Sequence, residues 1–115
     1  MGIKIGIINP NGLESSLQTA LDALVSAFAN QNIKVHLCLY SEQIPKADLL
    51  IGTYEKSLIL KELVETEQVP LDLSPEAIII KELTLDDHTA LWACAYDSRG
   101  LLYVLYELAE RINAQ

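Results

Sequence analysis

The sequence predicts an α/β two-layer sandwich, in which a mixed five-stranded sheet carries its long helices on one face. Two apolar runs, 77–85 and 89–96, flank the polar turn Asp86-Asp87-His88, a pattern typical of a β-hairpin and therefore of antiparallel strands. The opening strand–helix–strand pattern instead favours a parallel pair joined by a crossover. The chain then ends on an apolar helix. The predicted order is βαββαββα, in one domain spanning residues 1–115.

The first predicted strand is the β-branched run Ile3–Ile8, which stops at the turn-forming cluster Asn9-Pro10-Asn11-Gly12. An amphipathic helix over Leu13–Asn30 follows. We expect the Asn11 side chain to cap this helix while Glu14 reaches back to the cap residue. The apolar residues on one side of the helix are Leu13, Leu17, Ala20, Leu21, Leu24 and Phe28.

The alternating segment Ile33–Tyr40 predicts a half-buried strand. Ala47–Ile51 predicts a second strand, ended by Gly52, and residues 55–65 predict a short helix. Residues 69–75 contain two prolines and predict an irregular connector. Because only three helices are predicted, we expect the second face of the sheet to be partly exposed or covered from outside the chain. In Ile33–Tyr40, the apolar face consists of Ile33, Val35, Leu37 and Leu39.

Composition and charge exclude several classes of partner. The formal net charge of −8 and the scattered Lys and Arg residues argue against nucleic acid and anionic membrane. No apolar run approaches the ~18 residues needed to span a bilayer, and the first residues do not resemble a signal peptide. We expect either a cytoplasmic protein or a fragment of a longer secreted or periplasmic chain. Cys38 and Cys94 lie in strand-like runs and are expected to be small buried residues, with a disulfide possible if the chain is secreted.

The last predicted helix, Leu101–Asn113, has more apolar surface than one packed side requires. This excess predicts a surface that contacts another domain or a second copy of the chain. The preceding residues, Asp97, Ser98, Arg99 and Gly100, are expected to form the turn and cap of the helix. The predicted interface residues are Leu101, Leu102, Tyr103, Leu105, Tyr106 and Leu108.

The segment Asp97-Ser98-Arg99-Gly100-Leu101-Leu102-Tyr103, followed by Leu105-Tyr106-Glu107-Leu108, resembles the small α/β domain that precedes the catalytic barrel in β-N-acetylhexosaminidases and α-glucuronidases. The earlier segment Asp48–Thr53 resembles a strand and turn of the same domain. The resemblance implies a non-catalytic accessory domain whose helices lie between its own sheet and a glycosidase barrel. The catalytic residues would belong to that barrel. One position departs from the family pattern, since Val104 stands where the group usually has Gly.

The residues that could carry chemistry do not predict a catalytic site, a metal site or a cofactor. Asp86 and Asp87 are adjacent in a turn, where Asp is favoured for conformational reasons. The two His and two Cys residues lack the spacing of a structural zinc site. Two alternatives stay open. The segment 7–11 resembles the opening of aspartate and hydantoin racemases, which would make Cys38 and Cys94 the acid and base, and residues 11–13 could bind a small anion.

Overall fold

The computed structural model describes residues 2–39 and 46–115. Its eight elements follow the predicted order, which is confirmed. The strands are β1 (Gly2–Ile7), β2 (Lys34–Leu39), β3 (Leu49–Thr53), β4 (Ile78–Leu85) and β5 (His88–Ala95). The helices are α1 (Ser15–Asn30), α2 (Leu58–Glu65) and α3 (Ser98–Asn113). Tyr40, the predicted end of the second strand, lies outside the described residues.

The five strands form one mixed sheet in the order β2-β1-β3-β5-β4. All neighbouring pairs are parallel except the hairpin pair β4–β5. The hairpin turn is shorter than expected, because Leu85 pairs directly with His88 and only Asp86 and Asp87 connect the strands. Both turn residues have positive φ, of 50° and 62°, as a tight two-residue hairpin turn requires. The predicted α/β architecture with a mixed five-stranded sheet is confirmed.

Both long helices pack on the same face of the sheet, as predicted. Along β3, Leu49 and Ile51 point into the core under α1 and α3, whereas Leu50 points to the opposite face, as alternation in a strand requires. The apolar side of α1 was also predicted correctly in large part, because Leu17, Ala20, Leu21 and Leu24 are buried there. The main core therefore lies between the sheet and this helical layer.

The second face of the sheet is covered by the chain itself, so the expectation of a partly bare face is wrong. Helix α2 buries Leu60 and Leu63 against this face, next to the fully enclosed Trp92. The irregular connector adds Val69 and Leu71, which are both buried. The sequence pattern predicted residues 69–75 only as an irregular connector. In the structure, the two buried apolar side chains of this connector complete a second core.

Two predicted details of the chain around the sheet are wrong. Helix α1 begins at Ser15 with Glu14 at the N-cap position, and no side chain caps it, so Asn11 is not the cap. Gly52 lies inside β3 instead of ending it. A β-carbon at Gly52 would lie 2.5 Å from Cγ1 of Ile8, so glycine is needed there because another strand end approaches closely.

The edge strand β2 is less covered than its alternating pattern predicted. Leu37 and Leu39 lie on the helical face of the sheet, yet they are 47% and 59% exposed. Within the part of the chain that the structure describes, no helix is long and apolar enough to cross a membrane.

Candidate functional site

The predicted interface residues on α3 fall into two groups. Leu101, Leu105 and Leu108 are buried in the main core, where α3 packs against α1 and the sheet. These three side chains stabilise the domain itself and are not available to a partner. Val104, the residue that departs from the family pattern, is also fully buried in this core. It therefore does not obstruct a surface contact.

The other predicted interface residues lie on the outward side of α3. Tyr103 is 60% exposed and Tyr106 is 44% exposed, and the adjacent Leu102 is partly buried. Residues three apart on a helix are neighbours on its surface, and both tyrosines line the same groove. We call the surface formed by Leu102, Tyr103 and Tyr106 the tyrosine face. It is the part of the predicted interface that the fold leaves accessible.

Two open cavities flank Tyr103. One has a volume of about 340 Å³ and lies between Tyr103 and the start of β4, where Glu76, Ile78 and Arg99 form its wall. The other, of about 370 Å³, follows the helix past Tyr106. Its wall includes Glu107 and Glu110, so the tyrosine face has a mainly acidic rim. The Tyr103 side chain therefore forms part of the wall of both grooves.

Asp97 caps α3 as predicted. One carboxylate oxygen accepts the amide of Gly100 at 3.0 Å, and the other accepts the amide of Glu76 at 3.0 Å. The hydrogen bond from Gly100, followed by that from Glu76 and the charge of Arg99, lowers the pKa of Asp97 below its ordinary value, and partial desolvation opposes them. Asp97 thus joins the helix start to the chain segment that leads into β4.

The helix begins at Ser98, three residues earlier than predicted, so Ser98, Arg99 and Gly100 form its first turn and not a preceding loop. These residues hold the helix start in place by different means. The Ser98 hydroxyl donates to the carboxylate of Glu14, which connects the start of α3 to that of α1. Arg99 lies 3.5 Å from Glu76, an exposed pair that contributes little free energy. Gly100 is required sterically, because a β-carbon there would lie 2.9 Å from Cβ of Ala95.

A second candidate site lies between β1 and β3, where the chain changes the side on which it adds strands to the sheet. From β1 the chain proceeds to β2 on one side and then returns to β3 on the other, so the β1–β3 crevice is a topological switch point. Ligands of open α/β sheets bind at the carboxyl ends of the strands in such crevices. A cavity of about 280 Å³ lies here, between the segment 9–14, Leu17 and Lys56. The sequence-predicted anion site, residues 11–13, forms part of its wall.

Asn9 holds the two sides of this crevice together. Its buried side chain accepts the amide of Thr53 at 2.9 Å through Oδ1, and Nδ2 donates to the Thr53 hydroxyl at 3.4 Å. The local sequence pattern predicts Asn9 only as a turn residue, because nothing in it indicates a partner 44 positions away. Both polar groups of Asn9 are used in this contact, so its role is to fix the shape of the crevice.

An aromatic pair at the same edge of the sheet was not predicted. The rings of Tyr54 and Tyr96 stack with centroids 5.7 Å apart, and the Lys61 ammonium lies 5.9 Å from the Tyr54 ring centre. Desolvation, together with the charge of Glu65 and the hydrogen bond to it, raises the pKa of Tyr54. The pair connects the ends of β3 and β5 to α2, a contact that depends on the strand order.

The two cysteines do not form a site. Cys94 is fully buried, and burial raises its pKa to about 12. Cys38 lies on β2, three strand positions away in the sheet, a lateral distance of roughly 14 Å. One substrate atom cannot contact both thiols at that separation, so the geometry does not support the racemase-like alternative.

Metal-ligating and acidic residues are similarly dispersed in the described ranges 2–39 and 46–115. No group of three or more His, Cys, Asp or Glu side chains there could hold a metal ion. His88 lies in β5 and not in the turn, with Nε2 2.7 Å from the carbonyl of Ala47. Glu107 pairs with Arg111 on the same helix at 3.2 Å. These side chains have structural partners.

The amino-acid sequence matches no protein-family model, and no curated protein is similar to it at a significant level. Neither comparison links the chain to glycoside hydrolase accessory domains, so that resemblance remains a prediction from the segments 48–53 and 97–108.

Proposed function

We propose that this chain is a non-catalytic accessory domain that packs through the tyrosine face on the catalytic barrel of a glycoside hydrolase. The observation that carries the proposal is the pair of exposed aromatic side chains, Tyr103 and Tyr106, on a helix whose opposite side packs into the main core. Tyrosine is enriched at protein interfaces, because its ring contributes a large apolar contact area while its hydroxyl remains hydrogen-bonded.

The arrangement of the surface supports a protein partner more than a small ligand. The cavities beside Tyr103 are open and shallow, and a ridge of aromatic side chain separates them. A convex ridge between two grooves fits a complementary surface, whereas small molecules bind in concave pockets that enclose them. The tyrosine face would form the centre of such an interface.

The rim favours a particular kind of partner surface. Glu76, Glu107 and Glu110 surround the tyrosine face, and Arg99 is the one basic side chain in the walls of the two grooves. Charge complementarity sets the orientation and the rate of association. The barrel surface that receives this domain should therefore have an apolar centre with lysine or arginine around it.

The residues at the start of α3 connect the sequence motif that begins at Asp97 with the position of the tyrosine face. Asp97 fixes the first turn of the helix and Gly100 allows it to lie against Ala95, so the direction of α3 is set by the same residues that carry the family resemblance. A helix held at both its start and its buried side presents Tyr103 and Tyr106 in a fixed position. Such preorganisation lowers the entropic cost of binding.

The test uses the purified domain and the catalytic barrel of a β-N-acetylhexosaminidase or an α-glucuronidase from the same organism. Calorimetry should detect binding to one of them. The double substitution Tyr103→Ser and Tyr106→Ser should weaken it at least about thirtyfold, since central aromatic residues dominate interface energies. The matched control is Leu58→Ser, which changes a 70% exposed leucine on the opposite side of the sheet. Absence of binding to both barrels, or equal loss in the control, would contradict the proposal.

A second candidate function is recognition of a small anion in the β1–β3 crevice. The observation favouring it is the cavity of about 280 Å³ at the switch point, with Lys56 in its wall. The first turn of α1 also has no side-chain cap, so its amide groups remain available to an anion. Phosphate and citrate should then raise the melting temperature, and Lys56→Ala should remove the effect while Lys34→Ala does not. Unchanged melting temperatures would exclude this function.

A further inference from the structure

The outer edge of β2 has the properties of a surface that accepts another strand. Among the described residues, only β1 pairs with β2, so the other edge of this six-residue strand presents its backbone N–H and C=O groups outward. We propose that a second copy of this chain adds its own β2 to this edge, antiparallel, about a two-fold axis that passes through Leu37. The two sheets would then form one continuous sheet.

The edge has few of the features that usually prevent such pairing, since its one charged residue, Lys34, lies at the very start of the strand. Proteins protect edge strands with proline, bulges, very short strands or charged side chains. β2 contains no proline, and its six residues pair with β1 in consecutive register from Lys34 to Leu39, without a bulge. The opposite edge strand, β4, differs because the adjacent Lys81 and Glu82 are both exposed at its centre. In the described ranges 2–39 and 46–115, the sheet is thus protected at one edge and open at the other.

The side chains on β2 add an apolar surface to the open edge. Leu37 and Leu39 lie on the helical face, but α1 covers them only in part, and they are 47% and 59% exposed. A cavity of about 270 Å³ separates these leucines from the start of α1, where Leu13 and Gln18 form the wall. A second copy would bring two more leucines onto this surface and reduce the apolar area in contact with water.

A register centred on Leu37 makes the strand complementary to itself. Leu37 then lies opposite Leu37 of the second copy, and Val35 lies opposite Leu39, so every pair on the helical face is apolar. On the other face His36 lies opposite Cys38, and Lys34 falls outside the paired segment. This register avoids directly opposed like charges, which would destabilise the strand pair. A two-fold interface requires this kind of self-complementarity.

The size of the contact sets the expected affinity. The strand pair formed by residues 35–39 extends only ~17 Å, which is short compared with the extent of a stable interface. We therefore expect a weak dimer with a dissociation constant in the micromolar to millimolar range. The edge at β2 is also distant in the sheet from β4, the strand beside the tyrosine face. Self-association and packing on a barrel are consequently independent.

Sedimentation equilibrium of the purified chain, from micromolar to millimolar concentration, tests the proposal. The wild type should fit a monomer–dimer equilibrium. Leu37→Lys should weaken dimer formation about tenfold or more, because two lysines would then face each other across the axis. The matched control Leu58→Lys should leave the equilibrium unchanged. The double tyrosine variant, Tyr103→Ser with Tyr106→Ser, should also dimerise as the wild type does.

A charge-pairing experiment separates a lost interface from a lost fold. Leu37→Lys and Leu37→Glu should each be monomeric alone, and an equimolar mixture should form a heterodimer, because the opposite charges then meet on the axis. A wild type that stays monomeric at millimolar concentration would overturn the proposal. It would also be overturned by a dimer that Leu37→Lys does not weaken, by a mixture that stays monomeric, or by a dimer that the double tyrosine variant abolishes.

Discussion

Substitution of Asp97 by Ala should destabilise the domain by about 2 kcal/mol. The carboxylate accepts two backbone amides, those of Gly100 and Glu76, both at 3.0 Å. Loss of an N-cap costs about 1 kcal/mol, and loss of a further hydrogen bond to a charged acceptor costs about another 1 kcal/mol at this partly exposed position. Asp97→Ser should retain the cap alone and lose about half as much.

The effect should depend on pH in a defined direction. Hydrogen bonds to the ionised form lower the pKa of Asp97 in the folded state, so its contribution is present above the pKa of the unfolded chain, about 3.9. This contribution is lost as the pH falls through the lower, folded-state pKa. The difference between wild type and Asp97→Ala should therefore be full at neutral pH and diminish in strongly acidic solution.

Urea denaturation at neutral and acidic pH measures both quantities. The control is Asp72→Ala, which removes an exposed carboxylate from the connector and should change the free energy of unfolding by less than about 0.5 kcal/mol. If Asp97→Ala were as stable as this control at neutral pH, the account of how the helix start is held would be refuted.

The remaining predictions concern buried positions. Gly100→Ala should destabilise the fold by about 1–3 kcal/mol in urea denaturation, because the new β-carbon would lie 2.9 Å from that of Ala95. This loss should outweigh the higher helix propensity of alanine. A variant more stable than the wild type would contradict the close approach. Asn9→Ala should cost about 2 kcal/mol in the same assay, since it leaves a buried amide of the neighbouring strand without its acceptor, and a neutral effect would refute the role assigned to that bond. Cys94, with a pKa raised to about 12, should react with maleimide only after denaturation, whereas Cys38 should react in the native protein. Mass spectrometry measures both reactions. Rapid modification of Cys94 in the native protein would contradict its burial.

The sequence predicted the order of the elements because local patterns determine them. Alternation and turn residues located the hairpin, and the 3.6-residue repeat located α1. The cap at Asp97 was also predictable, since a capping residue lies three positions from its partner. The mixed sheet followed from the hairpin turn, which implies an antiparallel pair, and from the opening strand–helix–strand order, which favours a parallel pair.

Contacts between distant parts of the chain were not predictable in the same way. The connector residues Val69 and Leu71 close the second core only because the strand order places them over Trp92. Leu37 and Leu39 have a regular apolar alternation, yet they stay exposed because β2 is an edge strand that α1 barely covers. Exposure at such positions depends on where the strand lies in the folded sheet, which the local sequence pattern does not determine.

The candidate site shows the same division. The sequence predicted that α3 has more apolar surface than its own core needs. It did not show which of these residues lie in the core and which stay accessible. Burial of Leu101 and Leu105 and exposure of Tyr103 and Tyr106 depend on the angle at which α3 crosses the sheet. The stacked Tyr54 and Tyr96, 42 positions apart, became neighbours through the β3–β5 pairing and left no local pattern.

The most direct measurement is a heteronuclear NMR titration of the labelled domain with a glycoside hydrolase barrel that binds it. The account predicts that amide shifts cluster on the outward side of α3, around Arg99, Tyr103 and Tyr106, and leave the crevice at Asn9 unchanged. Shifts concentrated at the crevice or along β2, with the tyrosine face unaffected, would contradict the role proposed for the last helix.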